Sequence, residues 1–288
     1  MKNLKLIVIS LASLLLSVSV FADQFSLFLE NDVCYNTDRY YTHATRLQYT
    51  TDNNLGYSIG QNMYTPVDKL DPNLIPNDRP YAGYLYASVF DTIYTNNGEF
   101  FWELQAGVVG PDSFAKQTQI WIHEHIGSEI PLGWDNQIYN HLATLIMLRY
   151  TTHLCGSKYF AIDPYIGLEA GNLEDDVNAG FNIYLGYNLP ATRNQQRVIP
   201  VKAVRGETWN PYIYLWGGLE PRYVMYNMLL EDPRFTIHPE SFVYDRNLGI
   251  VAGCKYFEIA FTFCLRSDEF KEQSSPQRFG SLKLSTNF

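Results

Sequence analysis

Apolar and polar residues alternate in short runs along almost the whole chain, and turn-forming residues separate the runs. A period of two is typical of β-strands whose two faces meet different environments. Twelve runs are expected, an even number, as a closed bacterial outer-membrane barrel requires. They lie near 24–32, 40–50, 56–64, 80–93, 99–109, 138–153, 160–170, 176–187, 212–226, 242–253, 256–267 and 279–288.

This pattern predicts an all-β fold, namely a twelve-stranded antiparallel transmembrane β-barrel with a short helix in an extracellular loop. A soluble periplasmic β-sandwich or barrel would show the same period, because the two classes differ in which face is apolar. The aromatic content of 22 Tyr, 17 Phe and 5 Trp favours the membrane. So does the last run, which ends in Phe288 and resembles the C-terminal assembly signal of outer-membrane barrels.

The N-terminus has the features of a secretory signal peptide. Lys2 and Lys5 precede an apolar stretch, 6–20, and Val20-Phe21-Ala22 is an acceptable cleavage site. We therefore expect a signal peptide over 1–22 and one outer-membrane barrel domain over 23–288. The sequence has no later stretch of about 18 apolar residues, which argues against a helical membrane protein.

Loop lengths alternate along the chain. Short turns at 52–54, 96–98 and 155–157 are expected on the periplasmic side, where outer-membrane barrels keep their connections short. Longer connections are expected on the outer side, at 33–39, 65–79, 111–137, 227–241 and 268–277. The long connection 188–211 is an exception, because this scheme places it in the periplasm.

The charge and the cysteines limit the partners and the chemistry. The formal net charge is −9, which argues against a nucleic-acid partner. The four cysteines lie in the exported part, where disulfides are permitted, and three pairings stay open. They are Cys34, Cys155, Cys254 and Cys264. Their spacing fits no zinc motif, and free buried thiols are the alternative.

One segment, 110–137, departs from the strand pattern and is predicted to contain a helix. Gly110-Pro111-Asp112 provides a turn and a cap, and Gly127 provides a stop. Gln119 and His123 are four residues apart and share one helix face, which makes His123 a candidate general base. A lone helical histidine is more often structural, so its surroundings decide. His125 faces away and is expected to be structural or solvated.

The strand scheme brings polar residues from separate parts of the chain to the outer ends of adjacent strands. Such groups near lipid are costly unless they are satisfied or functional. They are Asn31, Asp32, Thr42, Arg79, Gln119, His123 and Glu129.

The motifs around these residues resemble the lipid A 3'-O-deacylase family, also called the LpxR family. The resemblance rests on several motifs in order over the first half of the chain. They are Glu30-Asn31-Asp32, Thr37-Asp38-Arg39-Tyr40-Tyr41-Thr42, Gln61-Asn62-Met63-Tyr64-Thr65-Pro66, Asp78-Arg79-Pro80-Tyr81-Ala82-Gly83 and Gly107-Val108-Val109-Gly110-Pro111, followed by Gln119, His123, Gly127-Ser128-Glu129 and Trp134-Asp135-Asn136-Gln137.

The resemblance implies a calcium-dependent esterase that removes the 3'-linked acyloxyacyl group from lipid A. Its substrate would be lipid A or lipopolysaccharide in the outer leaflet of the outer membrane, and we expect a monomer. The family's basic residues after the Tyr-Thr-Pro motif correspond here only to Lys69, between the acidic Asp68 and Asp71. Lys69 and Arg79 are the candidate substrate-binding residues, although Arg79 also fits a turn anchor or salt bridge.

Roles follow for the residues that match the family site. His123 is expected to activate water, Gln119 to orient the histidine or the water, and Asn31 to donate to the oxyanion. A Ca²⁺ ion would take oxygen ligands from Asp32, Glu129 and Thr42.

Other functions compete with this hypothesis. The sequence has no Gly-x-Ser-x-Gly elbow, and His43 is followed by Ala44 and Thr45, so the serine phospholipase pattern fails. A phospholipase or another glycolipid hydrolase stays open as an enzyme alternative. The alternative without catalysis is a calcium-binding barrel or a small channel whose lumen the 111–137 loop plugs.

Overall fold

The computed structural model describes residues 23–32, 39–190 and 210–287. Twelve strands form the barrel wall, and their bounds confirm the expected runs to within a few residues. They are β1 Gln24–Asn31, β2 Tyr40–Thr50, β3 Gly56–Thr65, β4 Ala82–Thr95, β5 Gly98–Val109, β6 His141–Thr152, β7 Phe160–Gly171, β8 Glu174–Tyr187, β9 Tyr212–Asn227, β10 Phe242–Gly253, β11 Phe257–Arg266 and β12 Gln277–Asn287. A two-residue extension, Cys155–Gly156, pairs with the start of β7.

Each strand pairs antiparallel with the next strand along the chain. The last strand, β12, pairs with β1, and Asn31 lies opposite Gly280. The ring of twelve strands is therefore closed, which leaves no sheet edge unpaired. Among the described residues, no helix is both long and apolar enough to cross a membrane.

The two faces of the wall show which class of barrel this is. Ion pairs fill the interior, and the Arg46–Glu103 pair is fully buried there. The exterior is apolar, and Leu142 on β6 is 81% exposed. A soluble barrel would bury its apolar face, so this inverted arrangement rules out the soluble alternative.

The interior keeps a cavity of about 110 Å³. Its lining includes Asn62 and Tyr64 from β3 and Tyr84 and Tyr86 from β4. Neighbouring residues in a strand point to opposite faces, so these lumen-facing positions also show which residues of β3 and β4 point outward.

Long and short connections separate to opposite ends of the barrel, as expected. One end carries the connections 66–81, 110–140, 228–241 and 267–276, together with the short turn at 172–173. We call it the long-loop end. Most of the long connection expected at the opposite end, 191–209, lies outside the described residues, as does the expected signal peptide.

The expected helix is present as α1, Ala115–Ile126, after a 3-10 turn at Pro111–Ser113. Gly127 ends it in the left-handed region, with φ +73, as predicted. The predicted cap is wrong. Asp112 lies in the 3-10 turn, and the cap position belongs to Phe114, whose side chain accepts no capping hydrogen bond.

The cysteines form no disulfide that involves Cys155 or Cys254, which both carry free thiols. Cys264 is buried in the wall, and Cys34 lies outside the described residues. Each of the three pairings left open would join both Cys155 and Cys254 to another cysteine, so none of the three is formed.

Candidate active site

The strand register puts the candidate site on the outer surface of the barrel wall. Asn62 and Tyr64 line the lumen, so Met63 between them points outward. Met63 lies opposite His43 on β2 and Gly83 on β4. His43 in turn lies opposite Asn31 on β1. Cross-strand partners share a face, so these positions form one outward-facing row at the long-loop end.

Helix α1 covers this row. Met63 is fully buried although it points outward, because it packs with Tyr81, Ala115 and Trp134. Gly83 lets the helix approach, since a Cβ atom there would lie 2.1 Å from Ser113 Oγ and 2.3 Å from Ala115 Cβ. The segment expected to plug the lumen under the channel alternative lies instead against the outside of the wall.

The two connections that flank α1 are also tied to the wall. Gln61 Nε2 donates to the Ser113 carbonyl at 2.6 Å. Gly110 takes φ +104 where its backbone meets that of Tyr139, and a Cβ atom there would lie 2.6 Å from the Tyr139 carbonyl oxygen. The helix therefore begins at a fixed position beside β5 and β6.

His123 lies on the buried face of α1, as the spacing predicted. Its Nδ1 atom lies 2.5 Å from the Glu129 carbonyl oxygen. A carbonyl can only accept, so Nδ1 carries the proton and the lone pair of the neutral ring is on Nε2. The left-handed turn at Gly127 brings Glu129 back to this position, with Ser128 N donating to the His123 carbonyl at 2.9 Å.

Glu129 therefore meets the site through its backbone, whereas its side chain is exposed. The sequence suggested a carboxylate ligand at this position. The structure shows a carbonyl that orients the histidine, and it leaves the carboxylate available to an ion from outside.

Gln119 is held one turn before His123. Its Oε1 atom accepts a hydrogen bond from Trp134 Nε1 at 2.7 Å, which fixes the orientation of the amide group. Trp134 is fully buried, and its ring packs against that of Tyr81 with centroids 4.9 Å apart. In the sequence Trp134 was only part of a motif. Its role was not predicted, because its hydrogen-bond partner Gln119 lies fifteen residues earlier.

Asn31, Asp32 and Thr42 meet at a β-bulge. The register of β2 against β3 shifts between Tyr41 and His43, which leaves Thr42 as the extra residue. Asn31 Nδ2 donates to the Thr42 carbonyl at 3.0 Å. Bulges redirect side chains, and here the bulge joins the ends of β1 and β2 at the site.

The oxygen atoms near the bulge extend to a residue that the sequence did not single out. Thr42 Oγ1 lies 2.6 Å from Thr65 Oγ1. The Asp32 carboxylate is buried and accepts a hydrogen bond from the Arg39 backbone N–H at 2.8 Å. Thr65 directly precedes Pro66 in the quoted motif, which was the available signal.

The donor atoms of this set are of the chemical type that binds Ca²⁺. It consists of a carboxylate, hydroxyl groups and a carbonyl, which are the hard oxygen ligands that Ca²⁺ prefers. The part of the chain described here contains no cluster of three or more His, Cys, Asp or Glu that could by itself hold a metal ion. Side chains other than carboxylates would have to complete a calcium shell.

The two candidate substrate-binding residues lie in different environments. Lys69 is partly exposed, and its carbonyl accepts hydrogen bonds from Leu132 N at 2.8 Å and from the Tyr81 hydroxyl at 3.0 Å. It therefore joins the connection after β3 to the segment that follows α1.

Arg79 is buried, which makes it a structural anchor. Its Nη1 lies 2.7 Å from Glu269 Oε2, and its guanidinium stacks over Tyr64 at 4.4 Å. Burial opposes ionisation of Glu269, but the charges of Arg79 and Arg266 outweigh this and lower the pKa of its carboxyl. The buried ion pair favours the turn-anchor or salt-bridge alternative for Arg79, and its expected contact with a substrate phosphate stays a prediction.

Similarity to known proteins extends over most of the chain. A family model described as outer membrane protein LpxR matches residues 6–288. The structure of LpxR from Salmonella typhimurium is similar, with 20% identity, a TM-score of 0.79, and coverage of 92% of this chain and 100% of that chain. The TodX monoaromatic hydrocarbon channel matches at 10% identity and a TM-score of 0.47, over 95% and 92% of the two chains. No curated protein matches the sequence.

Proposed function

This chain belongs to the LpxR family of outer-membrane lipid A deacylases, and from that premise we propose that it hydrolyses the ester of the 3'-linked acyloxyacyl group with His123 as general base. One observation carries the proposal. The Glu129 carbonyl holds Nδ1 of a buried histidine, on a helix face that is turned toward the outer wall.

The reaction would begin with water. His123 Nε2 takes a proton from a water molecule, whose oxygen attacks the ester carbonyl carbon and forms a tetrahedral oxyanion. Collapse of this intermediate breaks the bond to the sugar oxygen, and the protonated imidazole returns the proton to that leaving oxygen. An acyloxyacyl carboxylic acid and a 3'-hydroxyl result, and the acid then loses its remaining proton to solvent, so atoms and charge balance.

The other residues position the reactants. Gln119, with Oε1 held by Trp134, presents its amide N–H groups toward the reacting water or ester. Asn31 supports the bulge through the Thr42 carbonyl and places an amide donor near the oxyanion. When bound, Ca²⁺ would supply Lewis-acid stabilisation of that oxyanion, held by Asp32, Thr42 and Glu129.

The substrate would reach the site from the membrane. The outer wall of a transmembrane barrel faces lipid, and the site lies on that wall at the long-loop end. We propose that this end faces the outer leaflet, where the long connections of such barrels are found, and that Lys69 contacts a lipid A phosphate. A monomer suffices, because the residues of the site come from one chain.

The test is to measure, by mass spectrometry, the mass of lipid A from outer membranes that contain the protein. The membranes are incubated with Ca²⁺ or after removal of Ca²⁺ with a chelator. We expect the mass of the 3' acyloxyacyl group to be lost in Ca²⁺ and retained after chelation. His123→Asn should retain the full mass in both conditions while the barrel stays folded. Lysophospholipid in place of deacylated lipid A would contradict the proposed substrate, and an active His123→Asn would contradict the general base.

A further inference from the structure

Helix α1 has a second face that the reaction does not use. Its wall side carries Ala115, Gln119 and His123, which are buried and spaced by four residues. The opposite side carries Phe114 and Trp121, seven residues apart and therefore on one stripe. Phe114 is 57% exposed and Trp121 is 52% exposed. Two large aromatic side chains of α1, the helix that carries His123, thus point away from the protein.

The lipid-facing belt of the barrel reaches the end where α1 lies. Near that end, the neighbouring strands β8, β9 and β10 carry Val177, Tyr223 and Phe242 in one cross-strand row. All three side chains are exposed on the outer face. Such a row is stable only in contact with lipid, so the membrane extends to the long-loop end.

The belt is also continuous with the start of α1. Leu142 is the outermost outward-facing residue of β6. Two residues earlier, Asn140 Oδ1 accepts a hydrogen bond from the Asp112 N–H at 2.9 Å, just before the helix. Because α1 packs against the outside of the wall, its own outer side must face the lipid that surrounds the wall.

Phe114 adds an independent observation. It takes φ 58, in the left-handed region that bulky residues avoid, yet its ring is exposed to solvent. Contact with lipid would give this ring the burial that the protein does not provide. Trp121 is an aromatic type enriched where apolar chains meet headgroups, and its ring packs on the more polar His125 with centroids 4.4 Å apart.

We propose that α1 is an interfacial helix, whose Phe114 and Trp121 side chains insert at the boundary between acyl chains and headgroups of the membrane leaflet at the long-loop end. The ion pair between Lys116 and Asp135 flanks the helix on its polar side, where exposed charges meet water. The insertion holds the catalytic face at a fixed depth. It does not require the proposed chemistry, because it concerns only where the helix lies.

The direct test is fluorescence of the full-length protein in lipid vesicles, with the emission of Trp121 obtained as the difference between wild type and Trp121→Phe. We expect this emission to be quenched by phospholipids brominated near the headgroup end of the acyl chains, and to resist iodide in the water. Quenching by iodide with no effect of the brominated lipids would overturn the proposal.

A second test separates anchoring from chemistry. Phe114→Ser/Trp121→Ser should lower hydrolysis roughly tenfold in vesicles and leave it almost unchanged in detergent mixed micelles, where insertion depth no longer matters. Leu154→Ser/Tyr159→Ser, a matched pair exposed at the opposite end, should change neither rate. Equal loss in both media would overturn the anchor. An inactive wild type would instead count against the proposed function, and heat-modified gel mobility verifies that each variant is folded.

Discussion

The histidines at 123 and 125 lie on one helix but are held differently. Both donate from Nδ1 to a backbone carbonyl, His123 to Glu129 and His125 to Trp121 one turn earlier in α1. Only His123 is buried on the face that meets the wall. Under the proposed mechanism His123 meets the reacting water and His125 does not, so the same substitution should affect the two positions very differently.

We expect His123→Gln to lower kcat by about 10²–10⁴-fold, the usual contribution of a general base. His125→Gln should change kcat by less than about twofold, since its ring is exposed. Initial rates on purified lipid A in mixed micelles measure both. Equal losses in the two variants would contradict the assignment of the base to His123.

Arg79 permits a different comparison, between a structural anchor and a substrate ligand. Glu269→Gln leaves the buried Arg79 charge uncompensated and should cost about 3 kcal/mol of unfolding free energy, whereas Arg79→Gln should cost less, because Glu269 keeps its ion pair with Arg266. Urea titrations in lipid vesicles measure this cost.

The two variants should also keep a wild-type KM for lipid A. A raised KM in Arg79→Gln alone would show that the guanidinium meets the substrate after all. Lys69→Gln is the matched variant, because Lys69 is partly exposed and we propose that it contacts a lipid A phosphate, so its KM should rise.

At the scale of elements, the strands could be predicted and the placement of α1 could not. Alternation reports directly on the two environments of a wall, so strand bounds followed from local sequence. The contact between Gly83 and Ala115 joins positions that no local pattern relates, and it decides that α1 covers the wall and does not plug the lumen.

The same reason explains the site. The position of Gln119 and His123 on one helix face follows from the helical period, which is a local property of the sequence, and it was predicted. The bulge at Thr42 depends on the register against β3, and the Arg79–Glu269 pair spans the chain from one connection to another. Long-range pairing of this kind leaves no trace in a single sequence.

Gly83→Ala tests whether α1 must pack closely against the barrel wall. A methyl group would meet Ser113 Oγ and Ala115 Cβ at distances that real atoms do not adopt, so the helix must move off the wall. We expect more than about a tenfold loss of activity, because a shift of about 1 Å at a reacting group is that costly. The barrel should remain folded on a heat-modifiability gel.

The control for this variant is Gly217→Ala on β9. The nearest atom there, the Asn247 carbonyl oxygen, would lie 3.7 Å from the new methyl group, which is ordinary contact. Activity should be unchanged. Full activity in Gly83→Ala would show that the tight approach of helix and wall is not needed for hydrolysis.

At the scale of the whole molecule, buried ion pairs fill the described lumen at two levels. Arg46 and Glu103 are joined across it at 3.1 Å with both side chains fully buried, and Lys283 and Glu258 are joined at 2.8 Å nearer the opposite end. We infer that ion pairs at two levels close the lumen to ions.

We therefore expect no stepwise ion conductance from the wild-type protein in planar bilayers. Arg46→Ala/Glu103→Ala removes both charges and much of the filling volume, and it should raise the leak current. Porin-like steps in the wild type would contradict a closed lumen. A similar double change outside the lumen, Leu154→Ser/Tyr159→Ser, should leave the current at baseline.

The position of the site on the outer wall determines how its rate depends on concentration. An active site that opens toward the lipid encounters only molecules that diffuse within its own leaflet. Collisions between enzyme and substrate therefore take place in two dimensions. The relevant quantity is the surface density of lipid A, in molecules per unit area. Diluting the vesicles with buffer should leave turnover unchanged, whereas diluting lipid A with an inert lipid at constant vesicle number should lower turnover in proportion.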